Sequence, residues 1–251
     1  MFTSNPFADL TVFLSPNTLQ IYLVLMILAV AIGTLYDMLH KSSAKFFLQR
    51  VEKSKVAATT KLSRALTATI AVKTLAVEVA SAGEFCNRQR QISHLFMFYG
   101  VLSYLITTVV MVFGFPTHAT PTPVILPILW HIGIVMILIG GYWFFFLLRV
   151  NVAKDGQPIF RLVYADIFIV SLLSSVTLAL IWRVVQSGGN PTATKIVFGL
   201  YILSNTFLFV SVPWSKFAHM FYKPAVAFQR RVEEANGSSS LPAPVVRNEG
   251  S

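Results

Sequence analysis

Residues 124–149 read VILPILWHIGIVMILIGGYWFFFLLR, and no charged side chain occurs in them before Arg149. A stretch of that length is enough to cross the hydrocarbon core of a bilayer, which takes about 20 apolar residues as a helix. Four more stretches read the same way, at about 19–38, 92–114, 162–185 and 195–213. The whole chain has 251 residues, 55% hydrophobic and only 12% charged, where a soluble domain carries about 25% charge. The fold class expected is therefore an all-α integral membrane protein, a bundle of five transmembrane helices.

Loop charge orients the bundle. Residues 41–90 hold ten Lys/Arg against three Glu, and the loop near 149–161 holds Arg149, Lys154 and Arg161. The segment after 213 adds Lys216, Lys223, Arg230, Arg231 and Arg247. On the other side, residues 1–18 carry only Asp9, and 115–123 carry no charge. The positive-inside rule then places the N-terminus outside and the C-terminus in the cytoplasm. The expected location is the inner or cell membrane of a bacterium or archaeon. The net charge of +10 is explained by this placement, so no nucleic-acid partner is expected. Residues 1–16 lack the basic start of a cleavable signal. One cysteine, Cys86, supports neither a disulfide framework nor a thiolate cluster.

The organisation expected is a first span in 1–40, a basic cytoplasmic helical region in 41–90 and spans two to five in 91–214. A basic extension in 215–232 and a disordered Gly/Ser/Pro-rich tail in 233–251 follow. Residues 65–82 (ALTATIAVKTLAVEVASA) are apolar enough to suggest a sixth span. Lys73 and Glu78 lie near its middle, and a charge at mid-bilayer costs about 2.5 kcal/mol or more. An amphipathic cytoplasmic helix fits better. Membrane lipid or a soluble enzyme is the expected partner of that region.

The five histidines are His40, His94, His118, His131 and His219. His94 opens span two after Arg88 and Arg90. His219 follows span five in the phrase PWSKFAH (213–219). Antiparallel spans bring both to the cytoplasmic boundary, and an imidazole nitrogen is a strong ligand for haem iron. Arg90 and Lys216 are candidate propionate contacts, although plain orientation also accounts for them. His131 follows Trp130 at the depth of an aromatic belt, His118 lies in a short loop and is expected to be solvated, and His40 closes span one. Asp166, about a turn into span four, and Arg183, near its outer end, are candidates for a quinone site or its proton path. Each also reads as a helix-pairing residue. Gly140-Gly141 reads as a close-packing pair. No phosphate loop, nucleophile elbow or zinc signature occurs.

HLFMFYGVLSYLITT (94–108), span three ending at Arg149, the Asp166–Arg183 segment and PWSKFAHMFYKPA (213–225) together resemble the five-span cytochrome b subunits of the nitrate reductase gamma type. The resemblance covers roughly 90–230. It extends to the membrane subunits of the Qmo and heterodisulfide-reductase-associated quinone oxidoreductases, and most of all to the stand-alone anchors of adenylylsulfate reductase in sulfur-oxidising bacteria. It implies a subunit that is non-catalytic or quinone-reactive. Such a subunit exchanges electrons between a cytoplasmic iron–sulfur or flavin oxidoreductase and the quinone pool.

In that family four histidines hold two haems. Here His94 and His219 match the inner pair, while the outer positions fall on Tyr104 and Tyr201. Ten helical residues rise ~15 Å and eighteen rise ~27 Å, so both vacated positions lie deeper in the membrane. The resemblance therefore implies one haem b at most, with His94 and His219 on its iron. A haem-less docking anchor is the alternative. A small transporter or channel is a third reading, weakened by spans one and three having almost no polar residue at mid-depth.

Overall fold

The computed structural model describes residues 2–40, 43–83, 85, 87–149, 160, 162–163, 166–215 and 219–239. Among these the secondary structure is helical, with no strand. Five helices are long and apolar enough to cross a membrane: Pro16–His40, Arg88–Gly114, Ile125–Leu148, Ile167–Ser187 and Pro191–Trp214. They agree with the five expected spans, and the chain is a multi-pass membrane protein. We number the α-helices α1 (Pro16–His40), α2 (Ser43–Ala57), α3 (Arg64–Thr74), α4 (Arg88–Gly114), α5 (Ile125–Trp143), α6 (Ile167–Ser187), α7 (Pro191–Ser211) and α8 (His219–Asn236).

Helix starts follow local chemistry. The Asn87 side chain accepts from the backbone N–H groups of Gln89 and Arg90 at the start of α4. Asn190 accepts from Ala193 N at the start of α7, with Pro191 in the first turn. Both satisfy donors that a helix start leaves without an internal partner, and Pro191 fills a position where no N–H is needed. The segment 65–82 forms α3 and a following π-helical turn, Leu75–Ala80. It is not among the five apolar helices.

The chain divides into two compact units. The first comprises Met1–Asp37 and Ala82–Ala218, and the second Met38–Ser81 and His219–Ser251. In the first unit α4 and α5 pack antiparallel at very close range. A methyl on Gly100 would stand 2.9 Å from the Gly133 carbonyl, and one on Gly133 would stand 2.9 Å from Tyr104 N. Gly140 does the same against Ser93, while Gly141 faces Leu173 of α6. The expected glycine pair thus serves two different neighbours. Ser93 donates to the Gly140 carbonyl at 2.8 Å, which this close approach allows. α1 leaves much of its apolar surface outward, including Ile21, Leu25 and Ile32, as a lipid-facing helix does.

A feature absent from the sequence reading is the N-terminal arm. Residues Ala8–Val12 form a 3-10 turn whose flanking Phe7 and internal Leu10 are buried in the core of the first unit. Phe7 packs edge-on against Trp130 and tilted against Trp182. Asn5 fixes the arm by donating to the Phe115 carbonyl at 2.9 Å and to Thr122 at 3.2 Å.

In the second unit α8 packs on α2 and on α3. Arg50 grips Glu233 through two hydrogen bonds, at 2.8 and 2.6 Å, and Arg231 reaches Glu78 at 2.7 Å. The backbone N–H groups of Thr59 and Thr60 donate to the Asn236 carbonyl, closing the C-terminus of α8. Gly237 follows with φ +77°, the left-handed position that favours glycine after a helix. The expected boundary of a disordered tail at 233 is therefore corrected. Residues 233–236 are helical and held by the Arg50 pair and this cap, while 240–251 lie outside the described residues. Helices α2, α3 and α8 form one unit, which joins parts of 41–90 and 215–232.

Candidate functional site

The most unusual polar arrangement lies between the apolar helices of the first unit. The hydroxyls of Tyr104 on α4 and Tyr201 on α7 are 2.6 Å apart, and both residues are buried. Trp182 stacks on Tyr201 at 5.6 Å with an 8° interplanar angle. Trp130 covers Tyr104 at 5.7 Å and donates its Nε1–H to Thr108 at 3.0 Å. A tyrosine hydroxyl can donate or accept, so one of the two donates to the other and a single hydrogen bond pairs these buried groups.

A second polar layer joins three helices. Ser175 on α6 donates to Asn205 Oδ1 at 3.1 Å, and Asn205 Nδ2 donates to the Tyr22 hydroxyl of α1 at 3.2 Å. Tyr22 also meets Thr206 at 3.0 Å. Through Tyr201 and Asn205, α7 is tied by side-chain hydrogen bonds to α1, α4 and α6. The void beside these groups, lined in part by Tyr22, Thr108, Tyr201 and Asn205, measures about 10 Å³. That is room for about one water.

The outer positions that the resemblance assigns to a second haem are therefore filled. Two tyrosine oxygens in mutual hydrogen bond cannot flank an iron. Trp130 packs on Tyr104, and Trp182 and Phe198 pack on Tyr201. These residues do not fit the group.

The inner pair divides between the two units. His94 lies in the first turns of α4, half-buried, with its ring 5.1 Å from Phe85. Arg90 is half-buried one turn earlier on the same helix. His94 and Arg90 are thus placed one turn apart near the start of α4. His219 begins α8 in the second unit, and its side chain lies outside the described residues, as does Lys216.

Asp166 and Arg183 are both buried and both ion-paired. The expectation that Asp166 lies a turn inside span four is corrected, because it is the residue preceding α6. There it accepts from Arg149 at 2.6 Å and from the Val163 N–H at 3.1 Å. Arg149 also lies over the Phe145 ring, 4.2 Å from its centroid. The pair joins the end of the α5 segment to the start of α6 across their connecting loop. Arg183, 2% exposed, donates to Asp9 at 3.1 Å, to Gln186 at 2.7 Å and to the Ser4 hydroxyl. It is the anchor of the N-terminal arm. No sequence pattern links Arg183 to residues 174 to 179 positions away; the only hint was a lone Asp9 in an otherwise uncharged stretch.

The remaining histidines differ from one another. His118 is exposed, as expected, and its Nε2 is 3.2 Å from Asp9. His131 is buried, and Phe2 of the arm packs edge-on against its ring at 4.9 Å. Its Nδ1–H donates to the Pro127 carbonyl at 2.6 Å. His40 ends α1 and is exposed. Among the described residues, no three His, Cys, Asp or Glu side chains form a metal-binding group.

An open apolar groove of about 320 Å³ runs along α6 and α7, lined by Ile167, Phe207, Val210, Ser211, Trp214 and Ser215. Its serine hydroxyls are turned back, Ser211 to the Leu208 carbonyl and Ser215 to the Val212 carbonyl, both at 2.9 Å. The groove therefore suits an apolar chain. No family model, curated protein or solved structure matches the chain.

Proposed function

We propose that this chain is the membrane anchor of an oxidoreductase complex. It passes electrons between a cytoplasmic iron–sulfur or flavin enzyme and the quinone pool, through at most one haem b. The partner that the resemblance points to is adenylylsulfate reductase, which places the chain in sulfur metabolism. The N-terminus lies outside and the C-terminus in the cytoplasm of a bacterial or archaeal cell membrane, following the positive loops.

The observation that carries the reading is the Tyr104–Tyr201 hydrogen bond of 2.6 Å. It accounts for both missing outer histidines at once, by a packed polar contact in their place. The resemblance assigns the inner ligands to His94 and His219, and a haem held by them would supply a one-electron relay. His94 contributes a neutral imidazole nitrogen, and Arg90 contributes positive charge one turn away for a propionate. The groove along α6 and α7 is apolar enough to take the isoprenoid tail of a quinone.

The test is a pyridine haemochrome assay on the purified chain from haem-replete cells. One haem b per chain is expected, with loss of the b-type spectrum in His94→Ala. A colourless preparation overturns the haem and leaves the second reading, a haem-less docking anchor. The same tyrosine pair also suits that alternative, since a packed polar contact occupies the positions that the resemblance assigns to ligands. Co-purification of the tagged chain with its soluble enzyme supports an anchor in either form. Substrate flux in proteoliposomes without a redox partner would instead mark a transporter.

A further inference from the structure

Helix α3 and its π-helical continuation present an outward face that a water-exposed helix does not normally carry. One face, with Ile70 and Thr74 buried, packs within the second unit. The rest of the helix circumference exposes Leu66 at 45%, Val72 at 68% and Leu75 at 56%, with Val72 opposite the buried face. Between them lie exposed Ala65, Ala68 and Ala76. Thr69, on the same face, donates its hydroxyl to its own helix at the Ala65 carbonyl, 3.0 Å away, and so presents its methyl group. No acid lies on this surface; Arg64 borders it beside Leu75, and Lys73 falls between Thr69 and Leu66. Apolar surface of this extent on a polar unit marks an interaction site.

The charge around the stripe says what covers it. Of the four glutamates in the described part of this unit, Glu78, Glu233 and Glu234 are held by Arg231, Arg50 and Arg230. Exposed Lys45, Lys53, Lys55, Lys61, Arg64 and Lys73 carry no ion pair among the described residues. Arg64 is the first residue of α3, and Lys61 lies just ahead of it. Cations there oppose the helix dipole, which favours negative charge at an N-terminus. An anion seated at that end reverses the penalty. The stripe also lacks the Trp, Tyr and Arg that dominate protein–protein hot spots. Small aliphatics bordered by cations match the boundary of a bilayer instead. The membrane is an obligate neighbour, since the chain enters this unit from α1, leaves it into α4 and returns to it from α7.

We propose that the exposed face of residues 64–76 lies in the headgroup–acyl boundary of the membrane and is held there by anionic lipid. Leu66, Val72 and Leu75 are the inserted residues, and Lys61, Arg64 and Lys73 contact the phosphate groups. The proposal is independent of haem and of the redox partner.

The test uses the full chain in nanodiscs of phosphatidylcholine alone or with a phosphatidylglycerol fraction. In a Cys86→Ser background, one cysteine is introduced by Val72→Cys, or by Glu52→Cys as an exposed reference, and spin-labelled. Collision with oxygen, which concentrates in lipid, is compared with collision by a water-soluble nickel chelate. With phosphatidylglycerol, the oxygen-to-nickel ratio at position 72 is expected to rise several-fold above that at position 52. Lys61→Glu with Arg64→Glu and Lys73→Glu is expected to return it to the phosphatidylcholine value, with helicity unchanged by circular dichroism. Equal nickel access at 72 and 52 in both lipids overturns the proposal and leaves the face open to a soluble protein. A ratio at 72 that is high but the same in both lipids overturns the role of anionic headgroups.

Discussion

The Tyr104 and Tyr201 hydroxyls meet at 2.6 Å between α4 and α7, beneath the indole of Trp182. Each is the other's partner in an apolar interior. Removing one leaves the other buried and unsatisfied, at a cost of about 1–3 kcal/mol. Removing both leaves two apolar rings of nearly unchanged shape. Tyr104→Phe and Tyr201→Phe are each expected to lower stability by that amount. The double variant is expected to recover most of the loss. A thermal-unfolding double-mutant cycle in detergent measures the coupling. Purely additive losses would sink the assignment of the pair as mutually dependent.

Arg183 is fully enclosed, and its counter-charge comes from the arm through Asp9. Truncating one member of a buried pair leaves the other charge uncompensated, typically at about 3–5 kcal/mol. Asp9→Ala is expected to fall at or below the lower end, because Asp9 is partly exposed and Gln186 and Ser4 still accept from the guanidinium. It is also expected to loosen the arm. Amide hydrogen exchange over residues 7–14 should accelerate while that of α5 stays protected. Unchanged exchange in the arm would mean that apolar packing of Phe7 and Leu10 alone holds it.

What the sequence disclosed follows from the range of each interaction. Span existence rests on local composition, so all five were legible, and Lys73 with Glu78 set 65–82 apart from those five apolar helices. The close-packing role of Gly140-Gly141 was legible because small residues in an apolar run have few other uses. Contacts between distant segments left no local trace. The arm's hold on Arg183, the Arg50–Glu233 pair and the Tyr104–Tyr201 bond join residues 97 to 183 positions apart. The tail boundary at 233 was misplaced for the same reason. EEAN reads as the start of a polar tail until Arg50, Thr59 and Thr60 are seen to bind it. Nor does the sequence around His131 disclose that Phe2, far away in the chain, packs against its ring.

Gly133 sets the distance between α4 and α5, where an added methyl would stand 2.9 Å from both the Gly100 carbonyl and Tyr104 N. Both neighbours are backbone, so relief requires the helices to separate. Gly133→Val is expected to cost more than the roughly 1–3 kcal/mol typical of overpacking. It should also weaken the Ser93–Gly140 and Trp130–Thr108 bonds that depend on the same approach. Gly199, whose added methyl meets nothing within 4 Å, is the control, and Gly199→Ala should unfold at or above the parent temperature. Equal effects at the two sites would refute the close-approach reading.

Glu233 links the pH dependence of the second unit to one ion pair. Hydrogen bonds from Arg50, aided by Gln229, hold its carboxyl below the ordinary value of 4.5 despite partial burial. Arg50 is shifted upward by the same contact and keeps its proton throughout. In the unfolded chain Glu233 binds a proton near the ordinary value, so on acidification the unfolded state takes up the proton first. The stabilisation is therefore complete above about pH 5 and is lost as pH falls through the lower folded value. Hydrogen exchange of α8 in the full chain should accelerate over that acid window. Glu233→Gln should start less protected at neutral pH and show a flatter acid dependence, whereas Glu234→Gln, at a more exposed pair, should follow the parent. An acid profile unaltered by Glu233→Gln would refute this ion pair as the source of the transition.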